Sequence, residues 1–366
     1  MDSFAQMMSA LNELELEEKK RKLKLSSTLI MKHPRESMDH QSPKEIKKAA
    51  KDSTRRTCVR CCTLEPKDVP FKACGGCHSA FYCSKECQKL DWAYHKRSCL
   101  TAQKQRRLEK LGGALVSNRT LFSYLNLAII LSLGLHKNPS PPSFFTAHVT
   151  LVIEPEDIID FGRLQGQIGD EPPTRNAAGK IKGMLQIGTV TPLPDNMGLG
   201  SEEDLRRRTE VVFQENSTKY APDCIVGSIV LTLFDLGNFS QPNPVNGLQV
   251  PTIIDADMIL IARMAEPFHL ILPSTGEVHE KPMAVFSCME YINMAIRQDH
   301  NNRFLLRTEM LKSEEKNILD TASAAYRKED VQEFAWMCIR RRMECESVYQ
   351  ALRMWKKDQN RRQSLA

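Results

Sequence analysis

No apolar run among the 366 residues reaches the roughly 20 consecutive positions that span a bilayer. The most apolar stretch, Thr120 to Leu135, is interrupted by Ser123, Asn126 and Ser132 and bracketed by Arg119 and His136, so it reads as a buried helix. No secretory leader is expected either: the opening MDSFAQMMSALNELELEEKKRKLKL alternates apolar and charged residues like an amphipathic helix. Cysteine is scarce outside one segment. Eight of the 12 fall between Cys58 and Cys99, leaving Cys224, Cys288, Cys338 and Cys345 for the rest of the chain. The expectation is an intracellular protein with no membrane segment, in which thiols stay reduced and clustered cysteines bind metal rather than form disulfides. On that reading the glycosylation sequons at Asn118, Asn216 and Asn238 are chance matches.

At 41% hydrophobic and 26% charged residues, the make-up is that of a folded soluble chain of two or three domains. The formal net charge of +6 is unevenly spread: +4 over residues 1–57, +3 over 58–99, −5 over 100–326 and +4 over the last forty. A nucleic-acid binder concentrates positive charge on a folded face, whereas here the largest portion is acidic and both ends are basic. Nucleic acid is therefore not the expected partner. The run Lys19-Lys20-Arg21-Lys22 fits either a nuclear-import signal or a solvated helix face, which leaves nucleus and cytoplasm both open.

What is present is a metal-ligand pattern. In order it runs Cys58-x2-Cys61, Cys74-x2-Cys77, Cys83-x3-Cys87 and His95-x3-Cys99, four pairs and eight ligands, enough for two tetrahedral zinc ions. A C-x2-C turn sets two sulfurs on one side of a knuckle, and an x3 spacing on a helix sets two ligands one turn apart on one face. All eight positions come from protein, so neither ion keeps an open position for water and both are expected to be structural. Seven thiolates and two dications would remove three positive charges, making the finger neutral.

The segment Tyr82 to Cys99, YCSKECQKLDWAYHKRSC, resembles a MYND-type zinc finger in its spacing and in Gln88, Asp91, Trp92 and His95. The resemblance is confined to residues 58–99. It implies interleaved pairing, with Cys58, Cys61, Cys83 and Cys87 on one ion and Cys74, Cys77, His95 and Cys99 on the other. It also implies that Gln88 and Trp92, four apart on a short helix that Ser84 caps, border a groove for proline-containing peptides of a regulatory partner. The competing reading is that Trp92 covers the zinc site while Phe81, Tyr82 and Tyr94 fill the small core. Cys62 and His78 adjoin ligands but fall outside the pattern.

Beyond the finger an α+β body is expected. Residues 101–111 and Thr120 to Leu135 form a helical pair interrupted at Gly112-Gly113, and Asn138-Pro-Ser-Pro-Pro142 ends it. Apolar runs at Ala147–Glu154, Ile181–Val190, Glu210–Gln214, Ile225–Phe234 and Met258–Met264 suggest five strands of a mixed sheet, with Gly237–Pro251 a loop. Met283 to Gln298 and Glu329 to Trp355 are expected as helices, the latter with an apolar stripe broken by Arg341 and Arg342. The domains are then a basic, partly helical or disordered tail over 1–57, the finger over 58–99, the helical pair over 100–140, a β-rich region over 141–282 and C-terminal helices over 283–366.

Catalytic constellations are hard to find. A SET-type lysine methyltransferase using S-adenosylmethionine is the alternative to a non-catalytic interaction protein, since MYND fingers occur inserted in that fold. Its Gly-x-Gly is absent before the finger, because residues 1–57 contain no glycine, and Gly198-Leu-Gly200 and Asp299-His300-Asn301-Asn302 lack its flanking pattern. Asp255-Ala-Asp257 fits a turn better than a cation site, and nothing in the sequence brings Cys224, His148 and His269 together.

Overall fold

The structure, a computed structural model, describes residues 29–35, 41–53, 56–66, 68–78, 80–99, 102–138, 142–166, 171–193, 201–215, 223–234, 247–272, 275–324 and 342–364. Its centre is the strand β4 (Phe144–Pro155), buried along nearly its whole length. A strand apolar on both faces must be covered on both, and β5 (Lys182–Pro192) and β6 (Ile225–Leu233) show the same pattern. With β7 (Leu248–Ile254) and β10 (Arg307–Glu309) they make a five-stranded mixed sheet in the order β10-β5-β4-β6-β7, in which only the β4–β6 pair is parallel. A second sheet, β1-β8-β9, joins Ile30–Lys32 to Phe268–Leu272 and Glu277–Lys281, all antiparallel.

The helices cover these sheets. α1 (Pro43–Ser53) opens with a capping box, Ser42 N–H donating to Glu45 Oε2 at 2.7 Å, and packs on α3 (Ala102–Ser117) through the fully buried Ile46. α4 (Arg119–Ser132) and α8 (Val285–Gln298) pack on each other and on β5, and Tyr124, Phe268 and Tyr291 stack between them and β8 with His33. α5 (Ile158–Leu164) lies on β4, and α6 (Glu202–Glu215) on β6 and β7. α7 (Ala256–Met264), α9 (Lys312–Ala324) and α10 (Ser347–Ser364) complete the body. Among the described residues no single helix is long and apolar enough to cross a membrane; the α3–α4 pair reaches that length only together, across a 92° bend.

The α+β architecture follows the pattern of apolar runs, but four elements depart from it. Glu210–Gln214 belongs to α6, because Ser201 and Asp204 form a reciprocal cap at 3.0 and 3.1 Å and Leu205 and Thr209 are buried at a helical step. Met258–Met264 lies in α7, which Asp255 caps at 2.8 Å from Met258 N; Asp255-Ala-Asp257 is thus a helix start. Gly112-Gly113 does not interrupt α3. A Cβ at Gly112 would lie 3.0 and 3.1 Å from Leu248 and Leu231, so the glycine lets the helix sit down on β6 and β7. Pro251, within the stretch read as loop, pairs with Ser228 in an edge strand, where a missing N–H is tolerated.

The C-terminal helix also differs. Residues 325–341, including Val331, Phe334 and Cys338 of the expected stripe, lie outside the described residues. From Arg342 a helical turn leads through Glu346 into α10, and it carries a buried charge network. Arg342, only 1% exposed, grips Glu154 of β4 at 2.6 and 3.0 Å and Glu346 at 3.1 Å. Arg297 of α8 reaches Glu346 at 3.0 Å and Glu154 at 3.3 Å, and the Tyr349 hydroxyl donates to Glu154. Asn293 closes the set, donating to Glu346 at 2.8 Å while its carbonyl accepts from Ile187 N at 2.6 Å.

Candidate metal centre

Residues 56–99 build two knuckles, a two-stranded ribbon and one helix. Each knuckle is made the same way: the residue after C-x2-C turns left-handed, Cys62 at φ 61° and His78 at φ 59°, and its N–H donates to the first cysteine's carbonyl at 2.8 and 2.9 Å. That explains the two bystanders. They close the turns that aim the neighbouring sulfurs. The ribbon β2 (Lys72–Ala73) and β3 (Phe81–Tyr82) leads to Cys83, and α2 (Lys85–Ser98) starts at Ser84, whose hydroxyl accepts from Cys87 N at 3.2 Å. Cys87 occupies the first turn of α2, His95 its last turn and Cys99 its C-cap.

Cys58, Cys61, Cys83 and Cys87 bring their sulfurs within 4.8 Å of one another, and Cys74, Cys77, His95 and Cys99 form a second such group. Cys61 lies 3.5 Å from Cys83, Cys83 3.5 Å from Cys87 and Cys74 3.9 Å from Cys99. These separations are too long for disulfides, which need about 2.05 Å. They match the roughly 3.8 Å edge of a tetrahedron of sulfurs each about 2.3 Å from zinc. Cys77 Sγ to His95 Nε2, at 3.5 Å, matches the shorter sulfur–nitrogen edge. Two zinc ions fit the two groups.

The electrostatics of the two groups suit a cation. Burial, and donation to Cys61 and Cys87, push the Cys83 thiol to about 12; burial and the neighbouring Cys77 and Cys74 push Cys99 to about 12. Burial also opposes ionisation of Cys61, but hydrogen bonds from Thr63 and adjoining thiols outweigh it and bring that group to about 6. The hydrogen bond to Cys77 raises His95 to about 9, against burial. Four such donors cannot all be deprotonated unless a cation sits among them.

The remaining side chains build the little core. Tyr82, 1% exposed, packs with Cys58, Cys74, Cys77 and Ala80 and donates to the buried Asp91 at 2.7 Å. A Cβ at Gly76 would stand 2.9 Å from Cys99 Sγ, so only glycine suits that knuckle. Phe81 lies half-buried under Arg56, whose guanidinium is 4.4 Å from the ring centre. Tyr94, expected in the core, is instead 72% exposed, because α2 turns Cys87, Asp91 and His95 toward the ions and carries Tyr94 off that side. Trp92 is 46% exposed with its ring 5.9 Å from His95, and Gln88 is half-buried one turn before it. Trp92 thus touches the zinc site and still shows an open face.

Outside the finger the sequence candidates disperse. His148 is buried in β4 with Nε2 2.8 Å from Thr232 Oγ1, His269 lies in the other sheet facing Glu280, and Cys224 precedes β6. Cys288 is a buried core residue of α8. The Glu154, Arg297, Arg342, Glu346 and Tyr349 cluster was not foreseen; its trace in the sequence was the arginine pair interrupting an apolar stripe.

Comparison with known proteins agrees with this division. Residues 57–99 match the family model described as the MYND finger. A curated relative, the SET domain and MYND-type zinc finger protein 6 of Schizosaccharomyces pombe, is 35% identical over 80 residues, 22% of this chain. The aligned stretch spans 14% of that relative's length. No solved structure matches. Residues 103–349 match the family model named Domain of unknown function (DUF8205), and because that match takes in most of the chain, the protein belongs to this family and carries a MYND finger ahead of the shared domain.

Proposed function

We propose that this protein is a non-catalytic, zinc-dependent interaction protein whose finger docks short proline-containing peptides of a regulatory partner along Gln88 and Trp92. The observation that carries the reading is the half-exposed Trp92, rigidly backed by His95 of the second zinc group. A flat indole fixed in place loses little entropy on binding, and proline rings pack well against it. Two metal groups completed by eight protein ligands support a structural role for zinc rather than a catalytic one.

The test uses the zinc-loaded full chain and Trp92→Ala beside it, with proline-containing peptides titrated by fluorescence anisotropy. Two zinc ions retained with peptide binding lost supports the reading; two zinc ions retained with binding unchanged removes it. The relative's name includes a SET domain, which keeps methyl transfer as the alternative. Calorimetric binding of S-adenosylmethionine to the full chain would favour that alternative.

A further inference from the structure

The docking helix is not electrically neutral along its open side. Lys85, Gln88, Lys89, Trp92 and Lys96 follow steps of three, four, seven and eleven from Lys85, so they share one face of α2. All three lysines on it are exposed. The helix's two acids lie elsewhere: Asp91 is turned inward to accept from Tyr82, and Glu86 sits on the adjoining face with Leu90 and Ala93. Cys87, Asp91 and His95 form the inner, metal-facing row. The Trp92 face therefore presents an aromatic ring among three ammonium groups, and the neighbouring carboxylate of α2, Glu86 on the adjoining face, lies within electrostatic reach of Lys89 and Lys85.

Resting on the peptide-docking reading above, we infer that the peptide this face selects is acidic as well as proline-containing. Lys89 and Lys96 are seven residues apart, about 10 Å along the helix axis, and Trp92 stands between them. A proline-containing peptide in extended form advances about 3.1 Å per residue. Its carboxylates should then lie three positions apart, one on each side of the proline seated on Trp92, with Lys85 meeting a further acid beyond. The same lysines would also attract a nucleic-acid phosphate. The charge of the body argues for peptide: residues 100–326 carry −5, which repels a polyanion as long as a nucleic acid but touches a short peptide little.

The test measures anisotropy of a labelled synthetic peptide with two glutamates three positions apart around a proline and a third glutamate beyond, and of its glutamine counterpart, on the zinc-loaded full chain. Three exposed charge pairs predict about tenfold tighter binding of the glutamate peptide at low salt. That preference should vanish at high salt and in the triple variant Lys85→Gln, Lys89→Gln, Lys96→Gln, while the glutamine peptide binds the variant as before. The exposed lysines make no contribution to the zinc groups, so unchanged zinc content serves as the folding control. Equal binding of both peptides, or a preference kept by the triple variant, overturns the inference. If Trp92→Ala still abolishes binding in that case, the docking reading stands without it. Failure of every peptide to bind brings down both. A single-stranded oligonucleotide that binds more tightly than the glutamate peptide, and is lost in the triple variant, overturns the inference in favour of nucleic acid.

Discussion

Replacing Arg342 by methionine tests whether the buried charge network locks the C-terminal segment onto the sheet. Arg342 contributes two contacts to Glu154 and one to Glu346, all between 2.6 and 3.1 Å, at a position 1% exposed. In the native protein two arginines balance two glutamates. The variant leaves two buried carboxylates facing Arg297 alone. Breaking a buried ion pair from one side costs about 3–5 kcal/mol, because an uncompensated charge stays out of water. For a body of this size each kcal/mol shifts the melting temperature by about 2–4 °C, so a loss of about 10 °C is expected by calorimetry.

Two further measurements separate the charge from the packing. Glu154→Gln combined with Arg342→Met restores neutrality, and should recover at least about 1 kcal/mol relative to the sum of the single changes. The pH dependence has a definite sign. Burial raises the Glu346 carboxyl but Arg342 and Arg297 outweigh it and hold the group below the usual carboxylate range. Its contribution is therefore fully present above the unfolded value near 4.5, and is lost as pH falls through the depressed folded value. Arg342→Met should flatten that acid limb. A melting temperature within 2 °C of native, with an unchanged acid limb, would refute the network's role.

Three other outcomes follow from the same geometry. Gly112→Val should destabilise the body by about 1–3 kcal/mol in denaturant unfolding, because side-chain atoms must enter a space where even a Cβ meets Leu248 and Leu231 at 3.0 and 3.1 Å; a neutral result would mean α3 does not pack on β6 and β7 as described. Burial lowers His148 to about 4, so the unfolded chain takes up a proton below pH 6.5 that the folded one refuses until about 4; stability should fall by about 3 kcal/mol across that window and His148→Gln should lack this fall. Cys77→Ser should reduce bound zinc from two ions to one by atomic emission, and a variant that still holds two would contradict the second ligand group.

How much of this was legible in the sequence depends on what kind of force sets each feature. The ligands were legible because tetrahedral coordination imposes fixed spacings, and Cys58 to Cys99 displays them without reference to the rest of the chain. Strands buried on both faces, such as β4, were legible as apolar runs. Short apolar runs in mixed context were not: Val211-Val-Phe213 has strand-like composition, but the Ser201–Asp204 cap and buried Leu205 place it in a helix. Nor could periodicity reveal that Gly112 serves a close approach, or that an arginine is buried by partners 188 and 4 positions away. Both depend on tertiary neighbours, which a single sequence does not order.

The same dependence changes how the finger is attached. A basic tail before the finger would leave the zinc groups at the end of a flexible lead, yet β1 pairs with β8 and α1 packs on α3, so the chain visits the body before it builds the finger. It then returns through α3, whose Glu109 lies close enough to the second metal group to feel the Cys77 thiol. A third tie is direct: Arg208 of α6 donates to the carbonyl of Val59, inside the first knuckle, at 3.2 Å. The finger is thus held at its entry, its exit and one knuckle. The orientation of α2 to the DUF8205 body is accordingly set in folding, so the proposed peptide would meet a helix already in place and binding would not bear that ordering entropy.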